Sequence, residues 1–128
     1  TWWMLWVLQN TKRLSLQQLM SLRQRLGPGL LESAYETCLC YELSKIEINY
    51  EKQKGLPIIY KDVTLDCGYR IDILVENKIV IELKTVEKLL PIHTAQIMTY
   101  LKLSNKHLGL LFNFYNANLQ NGIKRYVL

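Results

Sequence analysis

Two short apolar runs joined by three polar residues place the strongest constraint on how this chain can fold. In residues 69–75 and 79–84, isoleucine, valine and leucine alternate with other side chains, which is the period-two pattern of β-strands. Residues 76–78 can form a turn between the runs, and Asn77 is the residue best suited to a positive φ there. The sequence therefore predicts an antiparallel hairpin.

The register of this hairpin brings two acids together. If Val75 faces Ile79, then Asp72 lies directly opposite Glu82, with Cβ atoms about 4.5–5.5 Å apart. Two carboxylates at that distance repel each other unless a proton or a cation lies between them, and Mg²⁺ is held by one or two carboxylates with water and phosphate oxygens. Lys84 projects from the same face and can direct its ammonium at a phosphate or an attacking water. The pattern is typical of a metal-dependent phosphodiester-cleaving site, although a solvated face of an ordinary hairpin explains the same charges.

Length and composition indicate one ordinary globular domain. The chain has 128 residues, 49% of them hydrophobic and 21% charged. The apolar run at residues 2–8 is too short to span a bilayer and lacks the features of a secretory signal, so no membrane association is predicted. Cys38, Cys40 and Cys67 show no C-x-x-C spacing, which favours reduced thiols in a cytoplasmic protein.

The net charge of +5 is a weak indication of nucleic-acid binding because it is unevenly distributed. Residues 1–28 carry four basic side chains and no acid, so the rest of the chain carries only +1. A phosphate-binding surface must therefore come from local clusters. The candidates are Lys84 with Lys88, and Lys124 with Arg125.

Periodicity predicts helices and strands along the rest of the chain. A strand followed by a helix and another strand implies a right-handed crossover with some parallel pairing. His93, Gln96 and Tyr100 share one face of the later helix, and Glu32 and Glu36 are one turn apart on the earlier one. The predicted elements are a helix at 30–45, an extended run at 48–61 broken at Gly55 and Pro57, the hairpin at 63–75 and 78–85, a helix at 91–103, and strands at 107–114 and 122–127.

Several motifs, in order, carry a family resemblance. Gly29-Leu-Leu-Glu32-Ser-Ala-Tyr35 matches G-x-x-E-x-x-Y, and GYRIDILVE, VIELKTVEKLLPIHTAQIMTYLKL and LGLLFNF…GIKR follow. From about Leu26 to Val127 the chain resembles the GxxExxY family, a prokaryotic branch of the PD-(D/E)XK nuclease-like superfamily. The resemblance implies an α/β fold with a PD-(D/E)XK (restriction-endonuclease-like) core, in which a mixed central sheet is flanked by helices.

The resemblance also implies roles for individual residues. Asp72 is expected to be the metal-ligand acid, Glu82 the second carboxylate and Lys84 the catalytic lysine. Glu32 matches the additional acid of the first helix, which would complete the metal site, and Gln96 matches the glutamine on the helix after the lysine strand. The expected cofactor is Mg²⁺ or Mn²⁺.

The beginning of the chain departs from the family. Residues 1–25 are rich in tryptophan, and Leu22-Arg23 stand where the family carries a Val-His pair. Residues 1–26 are therefore predicted to be an atypical or non-native segment, and residues 27–128 a single nuclease-like domain. Ile71 also replaces the superfamily's proline before Asp72, and Tyr35 and Tyr100 match family positions where packing is an equally good explanation.

The predicted function is metal-dependent hydrolysis of phosphodiester bonds, with DNA preferred to RNA as the partner and repair, recombination or defence as the setting. Two alternatives stay open: a nucleic-acid-binding module with the nuclease fold and little catalysis, and a non-catalytic interaction protein. Fold membership alone does not fix the activity. The sequence leaves the oligomeric state open, including a homodimer.

Overall fold

Helices and strands follow the predicted order in the computed structural model, which describes residues 16–128. Predictions for residues 1–15 lie outside the described residues. The helices are α1 (Leu16–Leu26), α2 (Glu32–Lys45) and α3 (Pro91–Ser104); the strands are β1 (Tyr50–Gly55), β2 (Ile58–Tyr60), β3 (Val63–Leu65), β4 (Arg70–Val75), β5 (Ile79–Lys84), β6 (Leu108–Asn113) and β7 (Ile123–Val127), with a 3-10 turn at Leu119–Gly122. Within this range no helix is long and apolar enough to cross a membrane.

Five strands form one mixed sheet in the order β1-β4-β5-β6-β7. Strands β5 and β6 are parallel and are connected through α3, whereas the other neighbouring pairs are antiparallel. The parallel pair arises because its two strands are joined by a helix rather than a tight turn. The predicted mixed sheet flanked by helices is confirmed.

The central hairpin, β4 and β5, has the predicted register. Val75 pairs with Ile79, and the pairing continues toward Ile73 and Ile81. The turn differs in one respect, because both Glu76 and Asn77 have positive φ, 52° and 54°, where the sequence singled out only Asn77. Two consecutive positive φ values match the twist of the flanking strands.

The strand predicted at 63–75 is divided in two. Residues 66–69 interrupt it, with Gly68 at φ 80° and its N–H donating to Asp66 Oδ1 at 3.0 Å. Strand β3 therefore pairs with β2 in a separate two-stranded sheet, while β4 joins the main sheet. This ribbon exposes large apolar side chains, among them Ile59 and Tyr60.

The main sheet is covered on both faces, and its strand alternation decides which side chains each helix meets. Helices α1 and α2 cover the face that carries Ile81, Leu83 and Phe112. Helix α3 covers the face that carries Val80 and Leu111. Since successive side chains of a strand point to opposite faces, the even-numbered positions of β5 point toward α3.

Helix α1 packs on the same core as the rest of the domain. Leu19 and Leu22 are buried in it, and Arg23 is buried with its Nε donating to the carbonyl of Phe114 at 2.6 Å. Tyr35 of α2 stacks on Phe114 with ring centroids 4.5 Å apart. The atypical or non-native origin of residues 1–26 stays a prediction, but the part of that segment in α1 is in contact with the core.

Candidate active site

Two carboxylates meet where β4 and β5 stop exchanging regular ladder hydrogen bonds. The ladder reaches Ile73 and Ile81, and the next opposed residues are Asp72 and Glu82. The N–H of Asp72 donates to Glu82 Oε1 at 3.3 Å, and the N–H of Leu83 donates to Asp72 Oδ2 at 2.8 Å. Each carboxylate therefore accepts a hydrogen bond from the backbone of the opposite strand. These two contacts fix the side chains beside each other.

Glu82 is the more buried of the two acids. Its side chain points into the layer under α3, and the residue is only 3% exposed. Burial, and after it the negative charge of Asp72, raise the pKa of Glu82 from 4.5 to about 9. The pair therefore holds a proton at neutral pH when no cation is present.

Lys84 is connected to α3 by a chain of hydrogen bonds. Its Nζ donates to Gln96 Oε1 at 2.8 Å, and Gln96 Nε2 donates to the hydroxyl of Tyr100 at 3.0 Å. Tyr100 is buried and meets the ring of Tyr69 edge to face, with centroids 6.3 Å apart. Gln96 and Tyr100 are one helical turn apart, so their side chains reach the same spot. His93, predicted on that face, instead accepts a hydrogen bond from the N–H of Leu90 at the start of α3.

The acid of α2 that joins this group is Glu36. Glu32 begins the helix, and among the described residues no hydrogen bond or ion pair links it to Asp72 or Glu82. Glu36, one turn later, is buried and accepts a hydrogen bond from Gln53 Nε2 at 2.7 Å, and the same nitrogen lies 3.4 Å from Asp72 Oδ1. Burial raises the pKa of Glu36, and the charge of Asp72 adds to the rise while the Gln53 hydrogen bond opposes it.

Comparison with known protein families decides the assignment. A family model described as the PD-(D/E)XK nuclease superfamily matches residues 9–126, almost the whole chain. The chain belongs to the PD-(D/E)XK nuclease superfamily. The match begins at residue 9, before α1, whereas the resemblance seen in the sequence begins only near Leu26. No curated protein and no solved structure matched the chain.

PD-(D/E)XK membership indicates a nuclease-like activity on nucleic acid, and nucleases of this superfamily generally use divalent metal ions. The donor set of this chain fits such an ion. Within residues 16–128 no three His, Cys, Asp or Glu side chains gather into a ready-made metal cluster. Asp72 and Glu82 offer two adjacent carboxylates, which is how Mg²⁺ is held when water and substrate phosphates complete its shell.

The basic residues predicted to contact nucleic acid do not form one patch on the PD-(D/E)XK core. Lys124 of β7 pairs with Leu111, which in turn pairs with Glu82, so these residues form one row across the sheet. Because neighbouring strands lie about 4.8 Å apart, the backbone of Lys124 is about 10 Å from that of Glu82, and the two side chains are on the same face of the sheet. Arg125, the next residue, points to the opposite face, and Lys88 is exposed in the loop before α3.

A groove of about 570 Å³ lies between α1 and α2, away from the hairpin acids. Its lining includes Arg25, Tyr41 and Glu42, and none of the predicted site residues. The PD-(D/E)XK site is located by its side-chain chemistry rather than by this groove.

Proposed function

We propose that this chain is a nuclease that hydrolyses phosphodiester bonds of DNA with the help of Mg²⁺ or Mn²⁺ held by Asp72 and Glu82. One observation carries the proposal. On neighbouring strands of a PD-(D/E)XK sheet, the buried Glu82 and the half-buried Asp72 accept hydrogen bonds from the backbone, and two residues after Glu82 the Lys84 ammonium is held by Gln96. A solvated hairpin offers no reason for Glu82 to be buried or for the Lys84 ammonium to be fixed.

Each side chain has a defined task in this proposal. Asp72 and Glu82 bind the cation, which when bound polarises the scissile phosphate and lowers the pKa of a bound water. Lys84 directs its ammonium at the attacking water or at the charge that develops on the phosphate. Gln96 Oε1 accepts a hydrogen bond from that ammonium, and Gln96 is itself fixed by its hydrogen bond to Tyr100, so the lysine does not need to be ordered during the reaction.

The finer assignments belong to the same proposal. The motif at residues 29–35 supports membership of the GxxExxY family and a prokaryotic setting in repair, recombination or defence. The free thiols of Cys38, Cys40 and Cys67 support a cytoplasmic location. Glu36 is a stronger candidate than Glu32 for the additional acid, because only Glu36 shares a hydrogen-bond partner with Asp72. Lys124 is a better candidate than Arg125 for a phosphate contact, because it shares the face of Glu82.

A cleavage panel tests the proposal. Labelled single-stranded, duplex and branched DNA, with matching RNA, are incubated with the full chain in Mg²⁺, in Mn²⁺ and in EDTA. We expect cleavage of DNA that requires the metal and that is lost in Asp72→Asn but kept in Asp66→Asn, since Asp66 is an exposed acid whose contacts are with Arg70 and the N–H of Gly68 rather than with the hairpin acids.

Two results would reject parts of the proposal. Metal binding without cleavage of any substrate favours a binding module with the nuclease fold. Equal cleavage by Asp72→Asn and the unaltered chain contradicts the assignment of the hairpin acids.

A further inference from the structure

Gln53 is an edge-strand residue with an unusual backbone. It lies in β1, and because the pairs on either side of it are in register, it faces Asp72 of β4. Its φ is 55°, the left-handed region, in the middle of a strand. A residue with a Cβ adopts this conformation only at a cost in free energy, and it persists where the surrounding structure holds it there.

The side-chain amide of Gln53 contacts two acids of the candidate site. Its Nε2 lies 2.7 Å from Glu36 Oε2 and 3.4 Å from Asp72 Oδ1, so one amide group bridges an acid of α2 and an acid of β4. Without a donor between them, the two carboxylates would repel each other. An ammonium at this position would neutralise them, whereas an amide satisfies both and leaves their negative charge available.

We propose that Gln53 is a positioning residue that fixes Asp72 and Glu36 in the orientation that binds the cation. This inference rests on the function proposed above. Donors that orient metal-binding carboxylates are worth about 10–100-fold in metal affinity. The role needs the amide of Gln53 rather than its backbone conformation.

Two variants separate the amide from the backbone. Gln53→Met keeps the length of the side chain and the backbone constraint but removes the donor. Gln53→Gly removes the donor and also relieves the positive φ. Glu47→Gly is the matched control, because Glu47 is exposed, has φ 61° and precedes β1, whose first residue pairs at the far end of β4 from Asp72.

Titration calorimetry of the full chain with Mn²⁺ alone measures the effect, with urea unfolding in EDTA as the check on the fold. We expect both Gln53 variants to bind Mn²⁺ about 10-fold or more weakly, Glu47→Gly to bind as the unaltered chain does, and Gln53→Gly to be no less stable. Unchanged affinity in Gln53→Met would overturn the positioning role and leave the proposed function standing. No Mn²⁺ binding by the unaltered chain would overturn both.

Discussion

Glu82 is a buried carboxyl beside a second carboxylate, Asp72, and this placement gives the fold a dependence on pH. In the unfolded chain the carboxyl loses its proton near 4.5, whereas in the folded chain its pKa is about 9. The stability that the buried neutral carboxyl contributes is therefore complete below about pH 4.5 and is lost as the pH rises toward 9. A bound cation opposes that loss, because it stabilises the ionised pair.

Glu82→Gln should remove this dependence. In EDTA we expect the variant to be more stable than the unaltered chain at pH 8, with the difference shrinking toward pH 5. Urea unfolding at the two pH values measures it. Glu51→Gln, at an exposed position of β1, serves as the control and should change neither value. Parallel pH profiles for Glu82→Gln and the unaltered chain would contradict the buried, neutral state of Glu82.

Tyr100 is hydrogen-bonded to Gln96, which holds Lys84, so under the proposed function Tyr100→Phe should change the reaction more than the binding of the metal. Removing one hydrogen bond worth about 1 kcal/mol should lower the single-turnover cleavage rate by roughly fivefold. Mn²⁺ affinity should stay within about twofold of the unaltered value, since the hydrogen bond described for the hydroxyl joins it to Gln96 and not to Asp72 or Glu82. Tyr126→Phe, which loses a hydroxyl contact with Thr94 instead, is the matched control. Equal rates for both variants would show that the Tyr100 hydroxyl does not position Gln96.

Among the secondary-structure elements, α1 connects the beginning of the described chain to the end of β6 through Arg23. The guanidinium is buried and donates to the carbonyl of Phe114, and its second nitrogen lies 3.4 Å from the carbonyl of Tyr115. These contacts anchor α1 to the segment that follows β6. Removing either the buried guanidinium or its carbonyl partner would leave the other polar group buried without a hydrogen bond, which costs free energy.

Arg23→Met should lower the free energy of unfolding by about 1–3 kcal/mol, because it leaves the carbonyl of Phe114 buried without its donor. Arg25→Met, on the exposed side of the same helix, should stay within about 0.5 kcal/mol of the unaltered chain. Urea denaturation gives both numbers. Loss of less than about 0.5 kcal/mol in Arg23→Met would show that α1 is not held through this contact.

The helices and strands around the candidate site show what the sequence could and could not predict. The period-two alternation and the three-residue turn were enough for the register of β4 and β5, since a three-residue loop at 76–78 sets Val75 opposite Ile79. The sequence did not single out Glu36 as a candidate for the site, because its burial depends on how α2 lies on the sheet. Gln53 was also not singled out, because no feature of the neighbouring sequence predicts a positive φ within a strand. Its conformation depends on the pairing of β1 with β4 and on the carboxylates that its amide contacts. The sequence also did not predict the break at residues 66–69, because it assigned residues 63–75 to one continuous strand.

Across the whole molecule, the sheet gathers the candidate site from distant parts of the chain. The candidate site combines two carboxylates and a lysine of the central hairpin with an acid of α2, an amide of β1 and a glutamine of α3. These groups come together because β4 and β5 lie inside the sheet and helices cover both of its faces. The chemistry therefore depends on the fold as a unit. The PD-(D/E)XK superfamily match and this convergence agree with a nuclease-like function.

Lys84→Ala provides the most direct test of a site built around this hairpin. The metal-dependent cleavage rate of Lys84→Ala is compared with that of Lys78→Ala, which alters the exposed turn of the same hairpin, after identical purification. We expect Lys84→Ala to cleave at least about 100-fold more slowly while unfolding as the unaltered chain does, and Lys78→Ala to cleave at the unaltered rate. Metal-dependent cleavage by Lys84→Ala at the rate of Lys78→Ala would contradict the account.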